Sequence, residues 1–233
     1  MAEARDRLIV ALDFATPDEA RALVRRIGDC VGFYKIGLEL VLSGGLDLVR
    51  ELKGDGQRVF LDMKFLDIPN TVEKAAAAAA ESGADFLTIH AVDAKTIAAA
   101  AKGVRGTSLK VLGVTVLTSL DANDLGEQGV QMAPADLVVH RARIAKAAGC
   151  DGVVASGQEA SAVRAATGDG FLIVTPGIRL PSDAVGDQAR VTTPERAIRD
   201  GATHLVVGRP ITQAADPKSA AEAFVAAIAA AGA

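Results

Sequence analysis

The chain has 233 residues, half of them hydrophobic, with 25 Lys plus Arg against 29 Asp plus Glu for a net charge of -4. That much apolar content can bury a sizeable core, whereas a slight acidic excess and 3% aromatics give no positive footprint for nucleic acid. No apolar stretch has membrane-spanning character, and the five-residue apolar run in MAEARDRLIVALD is too short for a signal peptide, so a soluble, cytoplasmic protein is expected.

Short β-branched runs recur along the chain, each followed by helical patterning. The first, RLIVALD (7–13), ends in Asp13; the helix after it opens with Thr16 as N-cap and Pro17 at the first helical position, and stops at Gly28. The second, FYKIGL (33–38), carries Lys35. The third, RVFLDMK (58–64), ends in Asp62-Met63-Lys64, and its helix, VEKAAAAAAESGA, stops at Gly83. DFLTIHA (85–91) and KVLGVTVL (110–117) follow, then the helix PADLVVHRARIAKAAG, closed by Gly149. DGVVA (151–155), FLIVT (171–175) and HLVVG (204–208) complete the strands, with a second Thr-Pro opening in TTPERAIRDGA. Cys30 and Cys150 sit in small apolar surroundings and read as buried reduced thiols. His90, His140 and His204 lie too far apart for a helical metal pair.

Eight strand-then-helix units with strands this apolar point to a parallel sheet covered by helices, and at this length to a single-domain (β/α)8 barrel over 1–233. An open doubly wound sheet is the alternative, but the turn after the first strand, LDFATP, has no glycine, and no Gly-Lys pair occurs for a Walker-type loop.

In such barrels chemistry sits at the C-terminal ends of the strands. There stand Asp13, Lys35, Asp62 and Lys64, with Asp67 three residues into the loop. Strand residues alternate faces, so Asp62 and Lys64 should project to one side. A lone aspartate after a strand is usually a turn residue, but alternating charges in the apolar stretch FLDMKFLDIPNT must be paired to be tolerated there. Across the rim, VTPGIRL and VGRPITQ follow strands seven and eight and place Arg179 and Arg209 in the loops where this fold usually binds phosphate.

The pattern Asp62-x-Lys64-x-x-Asp67-Ile68-Pro69-x-Thr71 resembles the signature of the orotidine 5'-phosphate decarboxylase family. ALDF, YKIGLEL, VTVLTS, TPGIR, DQARVTTP and VGRPIT resemble further segments of that family, in its order and over nearly the whole chain, in the shorter bacterial form. The resemblance implies a homodimer that converts orotidine 5'-monophosphate to uridine 5'-monophosphate in de novo pyrimidine synthesis, with no cofactor and no metal. It makes Lys64 the proton donor, sets Asp62 beside the scissile carboxylate, and gives Lys35 and Asp13 the ribose hydroxyls and the charge network. It sends Asp67 and Thr71 toward the partner's site, counts Ile68 among the substrate-binding residues, brings Thr118 to the pyrimidine, and sets Pro176, Arg179, Gln188, Gly208 and Arg209 around the nucleotide and its phosphate. HAVDA around His90 departs from the family's His-Ala-x-Gly-Gly form, so His90 receives no role.

The chemistry suits these residues. Loss of carbon dioxide leaves an in-plane electron pair at C6 of the pyrimidine, and a fixed cation can stabilise it where no cofactor sink exists. Lys64, read as flanked by two carboxylates, is favoured in its protonated form. The polar stretch RLPSDAVGDQAR (179–190) reads as a lid over the phosphate, with an ordinary surface loop as the alternative. Other activities remain open: a magnesium-dependent sugar-phosphate decarboxylase with the same Asp-x-Lys-x-x-Asp, an aldolase or epimerase using a lysine, or a non-catalytic nucleotide-binding dimer.

Overall fold

The computed structural model describes residues 4–181 and 191–231. Eight parallel strands close into a barrel in chain order, with the last paired to the first. They are β1 (Leu8–Ala11), β2 (Phe33–Gly37), β3 (Arg58–Phe65), β4 (Phe86–His90), β5 (Lys110–Val114), β6 (Gly152–Val154), β7 (Leu172–Thr175) and β8 (His204–Val207). The main covering helices are α1 (Pro17–Ile27), α2 (Leu46–Gly54), α3 (Pro69–Glu81), α4 (Ala94–Gly103), α5 (Pro134–Ala147), α6 (Ala160–Thr167), α7 (Pro194–Arg199) and α8 (Pro217–Ala231). Among the described residues no helix is long and apolar enough to cross a membrane.

Local chemistry sets the helix starts. Thr16 accepts the Glu19 backbone N–H while Glu19 returns a bond to Thr16, a full capping box ahead of Pro17. Thr193 caps α7 in front of Pro194. Such caps contribute about 1 kcal/mol each; the larger stabilisation is burial. Leu8, Val10, Tyr34, Ile36, Leu61, Leu87 and Leu205 point outward into one continuous core beneath the helices. The alternate residues Ile9, Phe33, Phe60, Phe86, Leu112, Val174 and Val206 fill the barrel itself. Each large aliphatic side chain so buried stabilises by roughly 1.5–3 kcal/mol.

Apart from β3, which extends to Phe65, the strands are shorter than the β-branched runs suggest. β1 ends at Ala11, although Leu12 still donates its N–H to the Lys35 carbonyl at 2.8 Å. Asp13 thus lies in the loop beyond the strand. Cys150 is buried as expected, but Cys30, in a 3-10 turn after α1, is only half-buried.

The barrel interior is layered. At its N-terminal end the Arg58 guanidinium lies over the Phe33 ring at 4.2 Å and the Phe86 ring at 5.4 Å. His204 meets Phe86 and Phe33 edge-on, with centroids 5.2 and 5.9 Å away. An apolar middle follows, and above it the mouth carries the charges.

Candidate active site

Four ionisable side chains form a chain across the mouth. Asp13 Oδ1 is 2.9 Å from Lys35 Nζ; Lys35 Nζ is 3.4 Å from Asp62 Oδ2; and Asp62 Oδ2 is 2.8 Å from Lys64 Nζ. Strand register builds it, because Ala11 pairs with Lys35, Lys35 with Phe60 and Gly37 with Asp62. Gly37 leaves the space: a Cβ there would lie 3.1 Å from Lys35 Nζ and 3.2 Å from Asp13 Oδ1.

Lys64 does not reach the site by plain alternation. The register of β3 against β4 shifts between Leu61 and Phe65. Lys64 itself has φ 51, and among the described residues it is the sole non-glycine with positive φ. For an L-residue that conformation costs about 1–2 kcal/mol, and such strain collects at functional sites. Thr88, fully buried on β4, accepts the Lys64 backbone N–H at 2.9 Å and donates its hydroxyl to Asp62 Oδ1 at 2.9 Å.

The network holds its two inner members, Lys35 and Asp62, ionised. Burial by itself would lower the pKa of Lys35, but Asp62 and Asp13 outweigh it and hold the ammonium above its ordinary range. Burial would likewise raise Asp62, yet Lys35 and Lys64, with hydrogen bonds from Lys64 and Thr88, keep its carboxyl below the usual range. Each buried charge therefore has an opposite charge against it, the condition under which burial is tolerated. His90 is pushed down by burial and then by Lys64 and Arg141, which favours a neutral ring.

Two cavities open on the network and share Lys35, Asp62, Lys64, Pro176 and Val206. The inner one, about 160 Å³, is walled by Phe60, Val114 and Val154, with Thr118 at its edge. The outer one, about 610 Å³, adds Asp13, Arg179, Gly208, Arg209 and Gln213. The loop after β7 bends at Gly177, whose φ is 74. Thr192 ties down its far side by donating to the Gly177 carbonyl at 3.3 Å and accepting the Arg179 N–H at 3.1 Å. Among the described residues no group of three or more His, Cys, Asp and Glu side chains is placed to hold a metal ion.

The structure thus brings Asp13, Lys35, Asp62, Lys64, Thr118, Pro176, Arg179, Gly208 and Arg209 to one mouth. It does not bring Asp67, Ile68 or Thr71 there: all three are exposed, outside both cavities. The chain leaves the rim after Phe65, and the Asp67 carboxylate accepts the neighbouring Ile68 N–H at 2.6 Å. Among the described residues of one chain, therefore, Lys64 is paired with Asp62 and not flanked by two carboxylates. Gln188, with most of the 179–190 stretch read as a lid, lies outside the described residues. Sequence reasoning passed over Thr88, Gly37 and Gln213. The cavity walls Val114 and Val154 were reachable by counting inward positions along β5 and β6; for Thr88 such a count gives the face but not the partners of its hydroxyl, and Gln213, past the strands, gave no such signal.

The Orotidine 5'-phosphate decarboxylase / HUMPS family model matches residues 6–224. The "Orotidine 5'-phosphate decarboxylase" of Afipia carboxidovorans is 54% identical over 225 residues, covering 97% of this chain and 95% of that protein. The protein of the same name from a Methylobacterium species is 54% identical over 228 residues, covering 97% and 96%. The crystal structure of orotidine 5'-phosphate decarboxylase from Lactobacillus acidophilus superposes with a TM-score of 0.85 at 38% identity, covering 96% of this chain and 99% of that one. With a match of this extent in sequence and fold, the chain belongs to the orotidine 5'-phosphate decarboxylase / HUMPS family.

Proposed function

We propose that this chain decarboxylates orotidine 5'-monophosphate to uridine 5'-monophosphate, the closing step of de novo pyrimidine nucleotide synthesis, without a cofactor or a metal. The observation that carries the reading is the Lys64 ammonium, 2.8 Å from Asp62 at the edge of an apolar chamber, with two arginine-bearing loops across the mouth.

The nucleotide spans the two cavities, its base in the inner chamber and its phosphate toward Arg179 and Arg209. The C6–carboxylate bond breaks with both electrons left at C6, and carbon dioxide departs. The Lys64 ammonium faces that electron pair, stabilises it, and transfers a proton to C6; water then reprotonates the amine. A unit charge pair about 4 Å apart at an effective dielectric near 20 interacts by roughly 4 kcal/mol, so one fixed cation is worth several powers of ten in rate. Asp62 orients the ammonium and repels the substrate carboxylate, a repulsion that fades as the carboxylate is lost. Lys35 and Asp13 face the ribose hydroxyls from the outer cavity.

The test is turnover of orotidine 5'-monophosphate followed by pyrimidine absorbance. Wild type is expected to be active and to stay active in EDTA. Lys64→Ala is expected to lose at least about a thousandfold in kcat, as when a general acid or a key charge-stabilising group is removed. An inactive wild type sinks the reading, near-normal turnover by Lys64→Ala sinks the mechanism, and EDTA-sensitive turnover sinks the metal-free reading.

The reading includes a homodimer in which Asp67, Ile68 and Thr71 serve the partner's site. It is supported by large apolar side chains left exposed in the segments that follow β2 and β3, where Leu42 is 87% exposed, Ile68 67% and Leu66 54%, the residue type that marks an interaction surface where it gathers. Mixing inactive Lys64→Ala with inactive Asp67→Ala chains should restore turnover to about one quarter of wild type on random exchange between two-fold dimers. Failure of the mixture to recover activity while its chains exchange would place Asp67 outside the shared site.

A further inference from the structure

We infer that Thr88 is a positioning residue for the decarboxylation proposed above, on which this inference rests: its hydroxyl sets the geometry of Asp62 and Lys64 together. Thr88 lies on β4, opposite the place where β3 slips register, and is fully buried. The slip leaves the Lys64 N–H aimed at a side chain, and the Thr88 oxygen takes it at 2.9 Å. A backbone N–H can only donate, and an ionised carboxylate can only accept. The hydroxyl hydrogen is therefore committed to Asp62 Oδ1, 2.9 Å away. The relay runs one way, from the Lys64 backbone through Thr88 to Asp62.

Two things follow for the site. With Oδ1 held by Thr88, Oδ2 is left to face both Lys64 at 2.8 Å and Lys35 at 3.4 Å. In addition, the N–H of the residue that holds φ 51 has its partner only while the hydroxyl is present. Thr88 thereby fixes the carboxylate that aims the ammonium and the strained backbone from which that ammonium extends. It lines neither cavity, so its effect on reaction passes through Asp62 and Lys64.

Three variants separate positioning from packing. Thr88→Val keeps the shape and removes the hydroxyl; Thr88→Ser keeps the hydroxyl and removes the methyl; Thr88→Ala removes both and stands in if the valine variant does not fold. Removing an outer hydrogen-bond partner of a reactive group typically costs about 10–100-fold in activity. Thr88→Val, or Thr88→Ala in its place, is expected to lose about that much kcat with KM within about threefold. Thr88→Ser is expected to return to within about threefold of wild-type kcat even if its Tm falls, because the methyl packs but does not aim. A role in packing alone would instead order kcat by side-chain volume, with serine below valine, and that order overturns the inference. So does a Thr88→Val or Thr88→Ala kcat equal to that of Thr88→Ser. An active wild type alongside either result removes this inference alone; an inactive wild type removes the decarboxylase reading and this inference with it.

Discussion

The two ends of the barrel interior both contain charge, and they tolerate it by opposite means. At the C-terminal mouth Asp13, Lys35, Asp62 and Lys64 alternate in sign and touch in sequence. At the N-terminal base the Arg58 guanidinium is covered by the rings of Phe33 and Phe86, and the imidazole beside it, His204, is buried neutral. An apolar layer that includes Ile9, Ala11, Phe60, Leu112, Val174 and Val206 separates them. The base uses its charges to close the barrel with aromatic packing, which needs no empty space. The mouth pairs each ion with another, holds both signs ionised, and leaves Lys64 bordering a cavity. A reactive lysine requires that second arrangement, because an unpartnered buried ammonium gives up its proton instead of facing an electron pair.

The largest effect that tests this contrast comes from Lys35→Met. Removing one partner of a buried ion pair leaves the other uncompensated and typically costs about 3–5 kcal/mol. Asp62 would keep Lys64 and Thr88 but lose the cation that is the foremost influence holding its carboxyl low. We expect urea unfolding at pH 7 to show a loss of that size, along with a severe loss of turnover. If stability is unchanged, the pairing at the mouth is incidental. The same substitution should change pH dependence. Lys35, raised above its ordinary 10.5, adds stability below that value and loses it as pH climbs through the higher folded pKa. Asp62, held below its ordinary 3.8, adds stability above that value and loses it as pH falls through the lower folded pKa. The mouth is therefore at full strength across the neutral range, and Lys35→Met should lose the alkaline limb.

The contrast between the ends also sets how much could be seen in sequence. The eight strands were legible because strands buried on both faces are continuous β-branched runs, and the helices were legible where Thr16-Pro17 and Thr193-Pro194 supply caps. Lys35, Asp62 and Lys64 were legible because charge inside an apolar run needs an explanation. Alternation placed Lys64 on the correct side for an incomplete reason, since a register slip and a positive φ carry it there. Thr88 was not legible, because a threonine in FLTIH is ordinary strand composition, and only the register of β3 on β4 reveals what its hydroxyl meets. Asp67, Ile68 and Thr71 were legible as a motif, but their exposure outside both cavities of their own chain was not, because spacing alone does not show that the chain leaves the rim after Phe65.

A smaller effect, at the base, sharpens the comparison from the other side. His204 is buried among Phe33, Phe86 and Arg58, and burial first, then the charges of Arg58 and Arg7, push its pKa from 6.5 down to about 3. The unfolded chain binds this proton more readily than the folded one throughout that window, so the neutral ring's contribution is whole above pH 6.5 and disappears as pH falls toward 3. One proton per unit of pH corresponds to about 1.4 kcal/mol, so the window holds a loss on the order of a few kcal/mol. His204→Phe keeps an aromatic edge against Phe86 and removes the titration; it should flatten the acid limb of a stability-versus-pH curve while leaving turnover at pH 7 unchanged. Arg58→Leu separates the causes. It forfeits the stacking on Phe33, about 0.5–2 kcal/mol at every pH, and it removes only the charge contribution to the shift. If burial dominates, its curve should lie below wild type and nearly parallel, keeping most of the acid slope. A slope as flat as that of His204→Phe would show that the base, like the mouth, is governed by charge against charge, and the distinction between the two ends would fail.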